Sequence, residues 1–422
     1  MKLRLPFLIF VMTCLTAMAS PQIQAKTTGG SRMYHTWLKG CMKDIRRDVP
    51  LITKSAESAA RLYVEDEYKV GAWGDPGFVE EFRGRSGGIL PISWWVKENA
   101  TKSVVLMTLR DDRLSDDLRQ ASEFQKQGNM VVIFARKTVT KDLEPSATLS
   151  LIDTHAAEHG GLIPLGDKWL VPTDQPANIA ALWTWTGEFI AACTRLGKAP
   201  QVWQSMMVPG ATERNNKYIA DMDQATPRGR LFLEKCPPPF PPGKAARAYL
   251  DGVTKNVDEV FSKEGATIRT VASTALQTRA NGGGIYAALT GHSLMHEMGC
   301  AHDPGLFKPV ANADIKPVDF VIGMGYDSIL TGKFWKNVAE TICPTGAKIA
   351  WSFTDYRPDA VKSLLPGEMY INQHWAMGDS LVTVPGYDVK ILPPSGVIGD
   401  AIYWSINAEM LRPSDRGSGE RR

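Results

Sequence analysis

Gly282-Gly283-Gly284-Ile285-Tyr286-Ala287-Ala288-Leu289-Thr290-Gly291-His292-Ser293 carries a helix stop, a short apolar run and a hydroxyl-bearing loop. A left-handed turn at a helix end is easiest without a Cβ, so the glycines mark where the long helical pattern before them ends. The unbroken apolar run of 285–289, bounded by turn residues, is the signature of a strand buried on both faces of a parallel sheet. Its loop then emerges at the carboxyl end of the sheet, where open parallel sheets bind ligands.

Working outward, a helix is predicted over 245–280 before this strand. Further strands follow over 318–324 and 347–353, then a strand-like stretch at 381–385 and an apolar helix over 397–411. The same order occurs upstream: a helix over 50–63, a strand and glycine-bearing loop over 70–77, and strands over 103–109 and 130–135. A strand-like 169–172 and an apolar helix over 177–196 complete it. Corresponding points lie about 215 residues apart, the sign of an internal repeat. The proline cluster 237–243 divides the two copies, since it continues neither a helix nor a central strand. The expected fold class is α/β, two tandem three-layer sandwiches with parallel sheets. The expected units are 30–212 and 245–412, with a linker over 213–244 and a disordered Ser/Gly/Arg-rich tail over 413–422.

Composition agrees with buried cores. Of 422 residues, 44% are hydrophobic and 22% charged, which excludes a disordered or collagen-like chain. A net charge of +3 excludes an obligate nucleic-acid binder. Lys2 and Arg4 precede an apolar run over 5–15, and Ala17-Met18-Ala19 or Ile23-Gln24-Ala25 supplies a cleavage site. Residues 1–25 are therefore expected to be a signal peptide, and the mature protein periplasmic or secreted, with no stable membrane anchor. Beyond Cys14, the cysteines Cys41, Cys193, Cys236, Cys300 and Cys343 show no CxxC spacing and allow at most two bridges.

Thr290, Gly291 and Ser293 offer hydroxyls and backbone N–H groups suited to a phosphate or to sugar hydroxyls. From the Gly-rich turn to the Thr-Gly-His-Ser loop, this half resembles the SIS (sugar isomerase) domain family. The late segment 385–397, which includes Ser395, followed by an apolar helix, resembles that family's closing strand and helix. The resemblance covers most of 245–411, and by the repeat 30–212 is similar to a divergent second copy. It implies a flavodoxin-like sandwich with a five-stranded parallel sheet and a sugar or sugar-phosphate ligand. Aldose–ketose isomerisation, N-acetylmuramic acid 6-phosphate ether cleavage and phosphosugar sensing are the activities it implies. A homodimer is compatible with it, and no cofactor is expected.

The loop after the second strand departs from the family's second Ser/Thr cluster: it reads Gly323-Met324-Gly325-Tyr326-Asp327-Ser328. Gly325, Asp327 and Ser328 are expected to meet the ligand. An aspartate accepts from sugar hydroxyls but repels phosphate, so the expected ligand moves toward an unphosphorylated sugar or cell-wall fragment. For turnover, Glu297 is the candidate base, one helical turn beyond Ser293, and His292 the candidate assistant in ring opening. The alternative is an inert carbohydrate-binding or sensor protein. A third class, a metal-dependent hydrolase, rests on His292 and His296 at i, i+4 with Cys300 or His302. The segment lacks the second histidine of HExxH, so no metal is expected.

Overall fold

The computed structural model describes residues 29–90, 93–219, 232–311, 313–326, 332–355 and 364–411. The expected signal peptide and tail lie outside them.

The chain begins with helices α1 (Gly30–Arg47) and α2 (Val49–Val64). It continues through β1 (Lys69–Trp73), α3 (Pro76–Phe82), β2 (Ser93–Trp95), β3 (Ser103–Thr108), α4 (Leu114–Lys126) and β4 (Met130–Ala135). Next come a short α5 (Lys137–Thr140), β5 (Leu149–Asp153), β6 (Gly161–Leu165), β7 (Lys168–Pro172), α6 (Asp174–Arg195) and α7 (Ala211–Ile219). The second half holds α8 (Lys244–Ala280), β8 (Ile285–Leu289), β9 (Lys308–Pro309), β10 (Phe320–Met324) and α9 (Gly332–Ile342). It closes with β11 (Lys348–Phe353), β12 (Met369–Asn372) and α10 (Ser395–Leu411).

Two five-stranded sheets result, ordered β2-β1-β3-β4-β5 and β9-β8-β10-β11-β12. Every ladder in them is parallel. Both therefore share the doubly wound order 2-1-3-4-5, whose switch point lies between the first and third strands. The expected α/β class and parallel sheets are present in both halves. Two strand assignments need correction. Residues 168–172 pair antiparallel with β6 in a hairpin outside the parallel sheet. In 381–385 only Val382 forms a bridge, to Ile391. The fifth strands are instead β5 and β12. The prolines at 172 and 385 explain the difference, because a residue without an N–H cannot serve a central ladder.

Alternation along the strands separates the faces. Val104, Leu106, Val132 and Phe134 look inward, while Val105, Met107, Val131 and Ile133 pack outward with Ala121 and Phe124 of α4. In the second sheet Ile322 and Ala350 look inward, and Val321, Ile349 and Trp351 pack with Trp335 and Val338 of α9. The inner faces of both sheets share one continuous core with α1, α2, α6, α8 and α10. Helices α6 and α10 are buried nearly all round, as expected of helices inside a core.

Their few charges close other helices. Glu188 of α6, 0% exposed, accepts from the N–H of Gly243 at 2.6 Å and of Ala246 at 3.0 Å, capping α8. Glu409 of α10 accepts from Ser31 Oγ at 2.6 Å and Ser31 N at 3.2 Å, capping α1. A carboxylate at a helix N-terminus satisfies orphan donors and opposes the helix dipole. Each half thus caps the opening helix of the other. Cys41, Cys193, Cys236, Cys300 and Cys343 are all free thiols.

Candidate functional site

At each switch point two strand ends come so close that one must be glycine. A Cβ on Gly74 would stand 2.5 Å from Thr108 Oγ1, and one on Gly325 would stand 2.1 Å from Thr290 Oγ1. The two halves solve the same problem with glycine and threonine exchanged between strands.

Thr290, Gly291, His292, Ser293, Gly325 and Ser395 do gather at one cleft, beside the amino end of α10. Asp327 and Ser328 lie outside the described residues. The cleft has a volume of only about 10 Å³, roughly room for one water. Its place for an anion is taken by the protein. Glu81 of α3, 0% exposed, abuts Gly396, where a Cβ would sit 2.4 Å from its Oε1. The N–H of Trp183 donates to Glu81 at 3.0 Å, and the Ser293 N–H favours its charged form. Arg85 lies 3.2 Å from Glu81 and 3.3 Å from Asp379 and donates to Ser395 Oγ, which donates to Asp379 at 2.8 Å. Burial pushes the Glu81 and Asp379 carboxyls up, and Arg85 opposes that shift in both. The residues of the expected cradle lie together, and Glu81 and Arg85 of the first half pack against them in a buried ion network with Asp379 of the second.

Glu297 follows a single 3₁₀ turn, Leu294–His296, rather than a helix. Glu297 is 1% exposed, accepts from Trp404 Nε1 and lines none of the three cavities described here. Burial holds its carboxyl well above the usual carboxylate range, against the Trp404 hydrogen bond. It has a counterpart. Glu81 and Glu297 each stand eight residues beyond the first strand of their half, and each meets the tenth residue of the closing helix, Trp183 or Trp404. Ser293 makes no cap; its Oγ donates to Asp400 at 3.3 Å.

His292 Nδ1 lies 2.7 Å from the Glu80 carbonyl, which only accepts, so the ring donates there. Burial, then the Arg85 charge, lowers its pKa to about 3, and the imidazole is neutral near pH 7. A neutral buried histidine stabilises the fold above the unfolded value near 6.5, and that stability is lost as pH falls toward 3. The expected slope is about 1.4 kcal/mol per pH unit in that window. Urea unfolding of His292→Asn across it should show a shallower loss than the unaltered protein.

Two larger crevices flank the network, each floored by one half and roofed by the other. The first, about 380 Å³, lies over the β8/β10 switch point, with His292 and Tyr326 below. Arg83, Trp203, Ser205 and Asn215 of the first half close it. The second, about 250 Å³, lies over the β1/β3 switch point, and residues 298–301 of the second half cover it. Arg83 and Arg85 both line the first crevice; Arg85 is held in the ion network, and Arg83 pairs with Glu80 at 3.0 Å.

His292, His296 and Cys300 form no metal-ligand group among the described residues. The group that does assemble is Asp111, Asp174 and His302, with ligand atoms within 4.8 Å of one another. Arg136 already bridges the two aspartates, 2.5 Å from Asp174, and His302 Nε2 lies 3.1 Å from Asp111. Burial raises Asp174 to about 6 against the pull of Arg136. The guanidinium stands where a cation would bridge these carboxylates, so the residues present do not fit a metal ion.

Sequence reading missed Glu81, Asp379 and the Glu–Trp pairs. A signal was there: α6 and α10 align as Trp-Thr-x-x-Gly-Glu over 183–188 and Trp-Ser-x-x-Ala-Glu over 404–409.

No family model and no curated protein matches the chain. Among solved structures it is similar to tagatose-6-phosphate ketose/aldose isomerase from Escherichia coli, with TM-score 0.46, 8% identity and coverage of 90% of this chain and 91% of that one. It is also similar to the C-terminal domain of glucosamine-fructose-6-phosphate aminotransferase from Francisella tularensis, with TM-score 0.44, 8% identity and coverage of 88% and 94%.

Proposed function

We propose that the protein is an exported carbohydrate-binding protein that holds an unphosphorylated sugar derivative without turning it over. The observation that carries this is the crevice of about 380 Å³ at the β8/β10 switch point. That volume lies within the range of about 300–1,000 Å³ usual for small-molecule clefts. Tyr326 and Trp203 supply aromatic surface for a sugar ring, and Asn216 and Ser205 supply hydroxyl partners. Glu81 in the neighbouring cradle is the reason to expect no phosphate there, since like charges repel. A neutral His292 and a Glu297 turned to Trp404 support binding over catalysis. The leader pattern of 1–25 supports export, and the repeat supports units of 30–212 and 245–412.

The test is a thermal-shift and calorimetric panel of glucose, N-acetylglucosamine, muramic acid and glucose 6-phosphate. A neutral or N-acetylated sugar should raise the melting temperature, and Trp203→Ala should weaken its binding by about 1–3 kcal/mol. Tenfold tighter binding of glucose 6-phosphate than of glucose would overturn the unphosphorylated assignment. No shift with any member of the panel would overturn the carbohydrate reading.

A further inference from the structure

We propose that the β8/β10 crevice takes a sugar joined to an apolar group, with Met206 and Met207 seating that group. The assignment rests on the carbohydrate reading above and names the class of derivative that the same crevice selects.

Most of the polar side chains around the crevice are already engaged by the protein. Arg83 pairs with Glu80, and Arg85 is held by Glu81 and Asp379. Ser86 Oγ donates to the Gly378 carbonyl at 2.5 Å, and His292 Nδ1 donates to that of Glu80 at 2.7 Å. Asn215 folds back on its own loop. It accepts from the Gln204 N–H at 3.0 Å and donates to the Gln204 carbonyl at 2.8 Å. A group with protein partners gains little from a ligand hydroxyl, because one hydrogen bond only replaces another. Few groups remain to orient a sugar, Asn216 and Ser205 among them.

What faces the space is therefore mostly carbon. Trp203, Met206, Met207 and Tyr326 line the crevice, and each is only half-buried, so apolar surface stays open to it. Asn215 Nδ2 also reaches Met206 Sδ at 3.5 Å, so the turn that Asn215 pins also places that methionine. Trp203 and Tyr326 serve the sugar ring, which leaves two thioethers that hold no hydroxyl. Such side chains mould themselves to apolar and aromatic surface, and they are over-used where a binding surface must adapt. An apolar lining in a concave site marks a ligand groove. The volume, about 380 Å³, falls in the range for drug-sized ligands and gives the apolar group room beside the ring.

Phenyl and methyl β-glucoside share one sugar and differ in the apolar group, as do phenyl and methyl N-acetyl-β-glucosaminide. Titration calorimetry should show the phenyl member of at least one pair bound about tenfold tighter than its methyl partner, the gain from about two methylene equivalents of buried surface. Met206→Gln and Met207→Gln, made singly, keep the side-chain length and replace the thioether end by an amide. In at least one of them the phenyl-to-methyl ratio should fall to about threefold or less. Making both separately keeps the test alive if one does not fold. Equal binding within both pairs would overturn the assignment and leave the carbohydrate reading standing. A phenyl preference unmoved by both variants would overturn it as well, since the apolar group would then sit elsewhere. If none of the four glycosides binds, the carbohydrate reading falls and the assignment with it.

Discussion

Arg85→Met is expected to lower the unfolding free energy by about 3–5 kcal/mol, the cost of removing one partner from a buried ion set. Arg85 is 3% exposed and lies between Glu81 and Asp379, at 0% and 4%. Without the guanidinium, two carboxylates and Ser395 share a space from which water is excluded, and one carboxylate must take up a proton or the halves must part. Urea unfolding at pH 7 reads the loss directly. Replacing Glu81, Arg85 and Asp379 together by Leu, Met and Leu should recover most of it, since apolar packing often matches a buried ion set in stability. A loss below about 1 kcal/mol for Arg85→Met would mean that the network is not closed to water, and with it the account of the filled cradle would fall.

Trp404→Phe is expected to cost about 1–3 kcal/mol, because the ring stays while Glu297 loses the N–H that completes it. The same change at Trp183 should cost a similar amount through Glu81, since the two pairs occupy matching places in the two halves. Glu297→Gln keeps an acceptor for the indole and removes a buried carboxyl whose charge pushes the Asp400 carboxyl up, so stability should stay within about 1 kcal/mol or rise. These outcomes separate a structural glutamate from a catalytic one. If a sugar substrate is found and Glu297→Gln abolishes its turnover while unfolding is unchanged, Glu297 is the base and the binding-only reading fails.

Much of this architecture was legible from local pattern. Strand positions at 70–73, 103–108, 130–135, 285–289, 320–324 and 348–353 follow from short apolar runs, because a strand covered on both faces tolerates little else. Ser93–Trp95 and Lys308–Pro309 were not legible, since edge strands of two or three residues carry no periodicity. Nor were Leu149–Asp153 and Met369–Asn372, whose mixed residues suit a half-covered edge.

The residues of the loop at 290–293, and their gathering with Gly325 and Ser395, were set by the repeat order of one half and could be read without the other. What fills that loop could not. Glu81 and Arg85 stand more than two hundred residues away in the chain, and only the packing of α3 against the turn at 294–296 brings them there. A carboxylate on a short helix looks solvated in sequence, and desolvation is a property of its neighbours, not of its own segment. The same holds for Glu297: its spacing from Ser293 was plain, but its direction depended on a 3₁₀ turn and on an indole contributed by α10. Sequence by itself determined which elements form and where their loops emerge, because those depend on local steric and apolar pattern. Tertiary structure alone decided which loops stay open to a ligand, because that depends on which charges the opposite half buries in them.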